Sequence, residues 1–212
     1  GHEGLDEQLR HLLLGVFAHL IEDARLLPMR EIAPIVRRPV DVQFEATYHE
    51  LGIRSFGNGT FHKAPVTGAD LGSKRVFQIE PGDLLFSNVF AWEGAIAVVQ
   101  PEDEGRVGSH RFISSVAQEG VVSAEFLRFY FLTPDGLRQI GEASPGGAGR
   151  NRTLGLEKLE RIQVPVPAYE SQLWFNALQP EVGTFKRLQA DTAAELDALL
   201  PSLLDRAFKG EL

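Results

Sequence analysis

Residues 176–209 read NALQPEVGTFKRLQADTAAELDALLPSLLDRAFK. Val182, Phe185, Gln189, Thr192, Leu196, Leu199 and Leu203 recur here at alternating steps of three and four, the heptad frame of a helix that packs on another helix. Leu188, Leu200 and Ala207 widen the apolar stripe. At ~1.5 Å per residue the stretch would run roughly 50 Å. Pro201 stands inside the frame and predicts a kink. A second amphipathic segment opens the chain, with Leu5, Leu9, Leu12, Leu13, Val16, Phe17 and Leu20 on one face. It is expected to close at Leu27-Pro28, because the residue before a proline is driven out of the α region. This helix, about 19 residues and roughly 28 Å, is too short to cover the C-terminal one. Core packing in a single compact domain is the plainer expectation. The leftover stripe favours a partner helix, from a second copy or another subunit. The predicted interface positions are Leu9, Leu12, Val16, Val182, Phe185, Leu196, Leu199 and Leu203.

Between the helices the texture changes. From Pro28 to Pro167, short β-favouring runs alternate with turn signals: Glu31 to Val36, Gly52 to Phe56, Arg75 to Ile79, Leu84 to Phe90, Ala95 to Val99 and Arg111 to Ser114. Gly57-Asn58-Gly59, Pro81-Gly82-Asp83 and Gly105 punctuate them. Glu125 to Leu132 reads as a helix, and Thr133-Pro134-Asp135-Gly136 as the cap that starts another. The expected fold is α+β: an N-terminal helix (1–27), a β-rich domain (28–167) and a long coiled-coil-type helix (168–212).

The 212 residues, 43% hydrophobic and 24% charged, are enough for a real core and exclude a mainly disordered chain. There is no cysteine, which removes disulfides, thiolate metal sites and Cys nucleophiles and agrees with a reducing, cytoplasmic setting. No apolar run is long enough for a membrane span, no signal peptide is expected, and Gly1-His2 reads as a cloning scar. His2, His11, His19, His49, His62 and His110 are scattered with no metal-binding spacing. No nucleophile elbow, P-loop, dinucleotide fingerprint, methyltransferase tetrad or nuclease carboxylate motif is present. The chain reads as non-catalytic, with no cofactor of its own.

What remains is basic residues on turns and strand ends. Arg54, Ser55, Asn58, His62 and Lys63 share one glycine-rich stretch; Lys74-Arg75 opens a strand; His110-Arg111 follows Gly108-Ser109. Ser144 to Thr153 is the densest, with Gly147 and Gly149 beside Arg150, Asn151 and Arg152. Glycines let backbone amides approach phosphate while Arg and Asn reach base edges or backbone oxygens. Each stretch alone reads equally well as a solvated loop; the four together point to a polyanion. The formal charge of −8 opposes this until it is divided by zone. Residues 28–167 hold 15 basic against 17 acidic groups, the N-terminal segment 2 against 5 and the C-terminal one 4 against 7. The helices therefore carry most of the negative excess.

These residues resemble the specificity (S) subunit of type I restriction–modification systems. The matching stretches are Gly82 to Asn88 with Phe90-Ala91-Trp92-Glu93-Gly94, Gly108 to Phe112, Ser144 to Thr153, Ile162 to Pro167, and the ending Leu199 to Leu212. Their order is more specific than any one of them. The resemblance implies a subunit that neither cuts nor methylates. In that family two target-recognition domains alternate with two helical conserved regions, each domain reads one half of a split duplex sequence, and the helices set the gap. The family's methyltransferase (M) subunits use S-adenosylmethionine, and its translocating restriction (R) subunit uses ATP and Mg. Only one recognition domain is present here, as in a half-subunit or a fragment, so a homodimer through the helices is a further expected partner. By this resemblance double-stranded DNA would be met by Arg54 to Lys63, Lys74-Arg75, His110-Arg111 and Gly147 to Arg152, with Arg150, Asn151 and Arg152 foremost. Asp83 is expected to serve a turn and Trp92 the core. The rival reading is a non-catalytic coiled-coil scaffold without DNA affinity.

Overall fold

The computed structural model describes residues 2–146 and 152–208. The chain divides into two compact units: Gly1–Glu22 with Trp174–Leu212, and Asp23–Leu173.

In the first unit, α1 (His2–Ile21) and the long α7 (Tyr169–Phe208, 40 residues, about 60 Å) supply the two amphipathic faces. Phe17, almost fully buried, meets the buried Phe175 ring at a centroid distance of 5.3 Å, and Lys186 pairs with Asp6 at 3.2 Å. Leu9, Val16 and Val182 are half-buried. Leu12, Phe185, Leu188 and Leu199 stay exposed, so the stripe is only partly covered within this chain. The side chains of Leu196 and Leu203 lie outside the described ones. Helix α7 starts before Asn176 and runs through Pro180 as well as Pro201.

The second unit is β-rich. Its centre is a four-stranded antiparallel sheet in the order β2 (Ile35–Val36), β11 (Phe112–Ser115), β8 (Leu84–Ser87), β9 (Ile96–Val98). Leu84, Leu85, Phe86, Ile96, Ala97 and Val98 are all buried, the continuous apolar pattern of strands covered on both faces. Helices α4 (Ala124–Leu132) and α5 (Pro134–Glu142) supply one cover, with Phe131 edge-on to Phe86 at 5.4 Å. The break between them is local chemistry: the Thr133 hydroxyl accepts from the Gly136 amide at 3.2 Å, and a Cβ on Gly136 would fall 2.0 Å from the Tyr130 carbonyl oxygen. Leu51, Ile79, Leu85 and Val99 form a further buried cluster, joined by Ile53 and Phe112. Ribbons β3 (Thr47–Tyr48) with β6 (Val66–Thr67), β4 (Leu51–Ile53) with β5 (Thr60–His62), and β7 (Val76–Gln78) with β10 (Val107–Ser109) surround the sheet. Helix α3 (Gly68–Leu71) starts at a Thr67–Asp70 capping box, and α6 (Leu156–Arg161) precedes the last strand.

Two expectations are corrected. Leu27-Pro28 does not end a helix; α1 stops at Ile21, and Arg25–Pro28 is β1, antiparallel to β12 (Gln163–Val166). Pro28 and Pro165 fit because both strands of a two-stranded ribbon are edges, where a missing amide donor leaves no ladder bond broken. The run Glu31 to Val36 is not one strand. Its beginning belongs to one helical turn, α2 (Met29–Ile32), whose Met29 and Ile32 are both buried three residues apart on one face. Gln172, fully buried in the first turns of α7, accepts from the Ser123 amide at 3.0 Å and donates to the Val121 and Pro167 carbonyls at 2.9 and 3.0 Å. All four of these residues belong to the second unit.

Candidate nucleic-acid interface

Lys74-Arg75 and His110-Arg111 meet at the end of the central sheet where β8 finishes and β9 and β11 begin. The antiparallel register of β7 and β10 sets Val76 opposite Ser109, and the His110 amide donates to the Arg75 carbonyl at 3.1 Å. Lys74-Arg75 and His110-Arg111, separate in sequence, thereby become one patch, all four exposed. The Arg111 amide donates to the Ser109 hydroxyl at 3.1 Å, fixing the turn. Asn88 joins this patch to the next: its amide donates to the Arg111 carbonyl at 2.8 Å, and its carbonyl accepts from the Leu154 amide at 2.7 Å.

That second bond holds Leu154, which follows the segment rich in glycine and arginine in sequence. Gly146 and Arg152 form an isolated bridge at its base. Arg152 donates to the Gly141 carbonyl at 2.7 Å, which also accepts from the Ser144 amide at 3.1 Å, and to the Ser144 carbonyl at 3.3 Å, just past the end of α5. Its guanidinium also stands over the Trp92 ring, 5.3 Å from the centroid. Arg152 is thus an internal brace of this loop. Gly147, Gly149, Arg150 and Asn151 lie outside the described residues. Trp92, expected in the core, is half-buried in the 3-10 turn Ala91–Glu93 and donates its indole N–H to the Val89 carbonyl at 3.0 Å. Its role is that of a platform.

The same turn carries the tip of the β4–β5 hairpin. The Phe56 and Gly57 amides donate to the Glu93 and Gly94 carbonyls, each at 2.9 Å, and the Ser55 hydroxyl donates to Glu93 at 3.3 Å. From α4, Arg128 donates to the Gly57 carbonyl at 2.7 Å; burial lowers its pKa from the ordinary arginine range. Asn58, exposed, donates from its amide to the Ser55 carbonyl at 3.0 Å. Arg54 lies over the Phe61 ring at 5.0 Å and donates to the Thr60 carbonyl. Phe61 can take that place because its partner across the ribbon is Gly52, where any Cβ would fall 2.2 Å from the ring.

His62 and Lys63 are drawn away from this group. His62 Nε2 lies 2.8 Å from Oδ1 of the fully buried Asp103, whose other oxygen accepts from the Thr60 hydroxyl at 3.1 Å. Asp103 follows β9 at the opposite end of the sheet, where Val98 pairs with Leu84. Lys63, exposed, is held by its amide to the Glu50 carbonyl at 3.2 Å. Asp83 is structural, as expected for a turn: buried, it receives both arms of Arg38 at 2.6 and 3.2 Å and the Glu80 amide at 2.9 Å. That hydrogen bond raises the Arg38 pKa against the burial that would lower it. Sequence reasoning missed Asn88 as the joint, Arg128 as the strut and Trp92 as a platform. Only the stretch from Gly82 to Gly94, quoted for its pattern, flagged two of them.

No family model and no curated relative matches the sequence. The fold does have counterparts among solved structures. The chain is similar to the HsdS subunit from Thermoanaerobacter tengcongensis, with a TM-score of 0.66 and 20% identity over 84% of this chain and 47% of that one. It is also similar to a chain from a structure described as the basis of complex assembly and conformational transition of the type I R-M system. There the TM-score is 0.52 and identity 20%, over 100% of this chain and 58% of that one. The chain therefore shares their fold, the mixed α+β arrangement with a long C-terminal helix, and spans about half their length.

Proposed function

We propose that this chain is a recognition half of a type I restriction–modification specificity subunit, a non-catalytic protein that reads one half of a split duplex sequence and docks methyltransferase subunits. The observation that carries the reading is the convergence of Lys74, Arg75, His110 and Arg111 with the Trp92–Arg152 platform and the hairpin tip at one end of the sheet, in a chain with the fold of an HsdS subunit. Exposed cations there grip phosphate, and the segment from Gly147 to Asn151 supplies the groups that read base edges. Recognition belongs to residues 28–167, flanked by segments 1–27 and 168–212, which carry α1 and α7. The exposed stripe on α7 takes a partner helix, from a second copy of this chain in the simplest case, which would make the target a split palindrome. S-adenosylmethionine, ATP and Mg belong to the methyltransferase and restriction partners, and the setting is cytoplasmic. With its near-neutral recognition region the chain binds DNA weakly alone and gains most of its phosphate grip from the methyltransferase.

The test is enrichment of random duplexes by the chain assembled with its methyltransferase, followed by sequencing. A recurrent half-site or bipartite motif is expected. If no duplex is enriched and none binds at low salt, where electrostatic attraction is greatest, the scaffold reading replaces this one.

A further inference from the structure

Phe56 combines features that core packing does not explain. Its side chain is 77% exposed at the tip of the β4–β5 hairpin. Its φ is +60°, and among the described residues it is the one non-glycine in that left-handed region. A phenylalanine there is strained, because Cβ crowds the following carbonyl; glycine is the residue that relieves it. Glycines are at hand in Gly57 and Gly59, both at positive φ, yet the aromatic takes the strained place between Ser55 and Gly57.

The surroundings hold it there. The Phe56 and Gly57 amides are bonded to Glu93 and Gly94, the Gly57 carbonyl is bonded to Arg128, and the Ser55 hydroxyl to Glu93. Gly94, at φ +81°, lets the tip come close: a Cβ there would lie 3.3 Å from the Phe56 nitrogen and Cα. Strain that is over-determined in this way belongs to residues with a task. The backbone is fixed from behind while the ring is left bare.

The chemistry around the ring identifies its occupant. Arg54 on Phe61, Asn58, and the Trp92–Arg152 pair supply cations and amide donors, and the one other exposed aromatic on the supporting segment is Phe90, 41% exposed. Phe56 is the more exposed of the two rings, in a polar frame that holds the Glu93 carboxylate as well as these cations. It is too narrow for an apolar protein groove and suited to a polyanion with flat faces. Proteins that deform duplexes use such residues to open a base step.

We propose that Phe56 is a wedge: it enters the duplex and unstacks one base step beside the recognition patch. The inference rests on the DNA-recognition reading above and adds to it a deformation of the target, so the sequence preference at that step comes from ease of unstacking as well as from base edges.

The probe is a duplex enriched by the wild-type chain, with 2-aminopurine replacing one base at a time. Wild-type protein at low salt should raise the emission several-fold at one step. Phe56→Ala should abolish that rise and weaken binding roughly tenfold, since a stacking aromatic contributes on that scale. Phe56→Trp should keep the rise. The thermal midpoint of Phe56→Ala should stay within a few degrees of wild type, showing that the fold survives. If the wild type binds without raising emission at any step, or if Phe56→Ala keeps both the rise and the affinity, the wedge is overturned while DNA recognition stands. If Phe56→Ala loses its methyltransferase partner but not the duplex, Phe56 is a protein contact and the wedge is again overturned. If no duplex is enriched at all, the recognition reading fails and takes the wedge with it.

Discussion

Replacing Lys74, Arg75 and Arg111 together by alanine should flatten the salt dependence of duplex binding. All three side chains are exposed at one end of the sheet, and among the described residues none has a carboxylate within ion-pair distance. Their backbones are held by bonds that alanine keeps, from the His110 amide to Arg75 and from the Asn88 amide to Arg111. The substitutions therefore remove charge with little effect on the fold. Each cation on a phosphate contributes about 0.9 to the slope of log K against log salt, so three contribute about 2.7. Between about 50 mM and about 200 mM salt, a fourfold change, that slope amounts to a factor of about 40. The defect of the triple variant relative to wild type should thus be about 40-fold larger at the lower salt. His110 is left in place so that only lysine and arginine charges are removed. Fluorescence anisotropy with one labelled duplex over a salt series measures both slopes. Parallel lines, differing by less than one phosphate's worth, would refute the assignment of these residues to the DNA surface.

Gln172→Ala leaves the Ser123 amide and two carbonyls without their buried partner and should cost about 3 kcal/mol in urea unfolding; a loss under about 0.5 kcal/mol would show that water replaces the side chain. Phe56→Gly should stabilise the protein by about 1 kcal/mol by relieving the positive φ, while removing the ring; a fall in the unfolding midpoint would mean that Phe56 is not strained. Tyr130 is pushed up in pKa first by burial and then by the charge of Asp135, so its folded value lies above the unfolded one. The stability it lends is complete below about pH 10 and is lost as pH rises from there through the folded value. Tyr130→Phe should therefore unfold with a flatter pH dependence above about pH 10 than wild type. Phe185→Glu with Leu188→Glu places charge on the uncovered face of α7 and should abolish helix-driven self-association, read as solution mass; a dimer that persists would move the interface elsewhere.

Local signals carried the helices. The steps of three and four that mark α1 and α7 lie within one turn of each other, and the Thr133 cap between α4 and α5 is decided within four residues. Where a segment's state depended on a distant partner, the local reading failed. Leu27-Pro28 is a strand because Gln163–Val166 lies beside it, and the β-favouring start of Glu31 to Val36 turns helical because Met29 and Ile32 are both buried. The site divides in the same way. The residue types in it were legible as cations and glycines on turns, since their chemistry belongs to the side chain. Their grouping was not.

By itself, then, the sequence determined the amphipathic faces, the β-rich middle, the lack of catalytic motifs and the pool of basic residues. Those follow from composition and from contacts a few residues apart. Only the tertiary structure decided which of the basic residues act together. The register of β7 against β10 unites Lys74-Arg75 with His110-Arg111, buried Asp103 takes His62 out of the group, and the carbonyls ending α5 make Arg152 a brace over Trp92. Each is a pairing across a long loop, whose closure is settled by the whole fold and leaves no trace in the spacing of neighbouring residues.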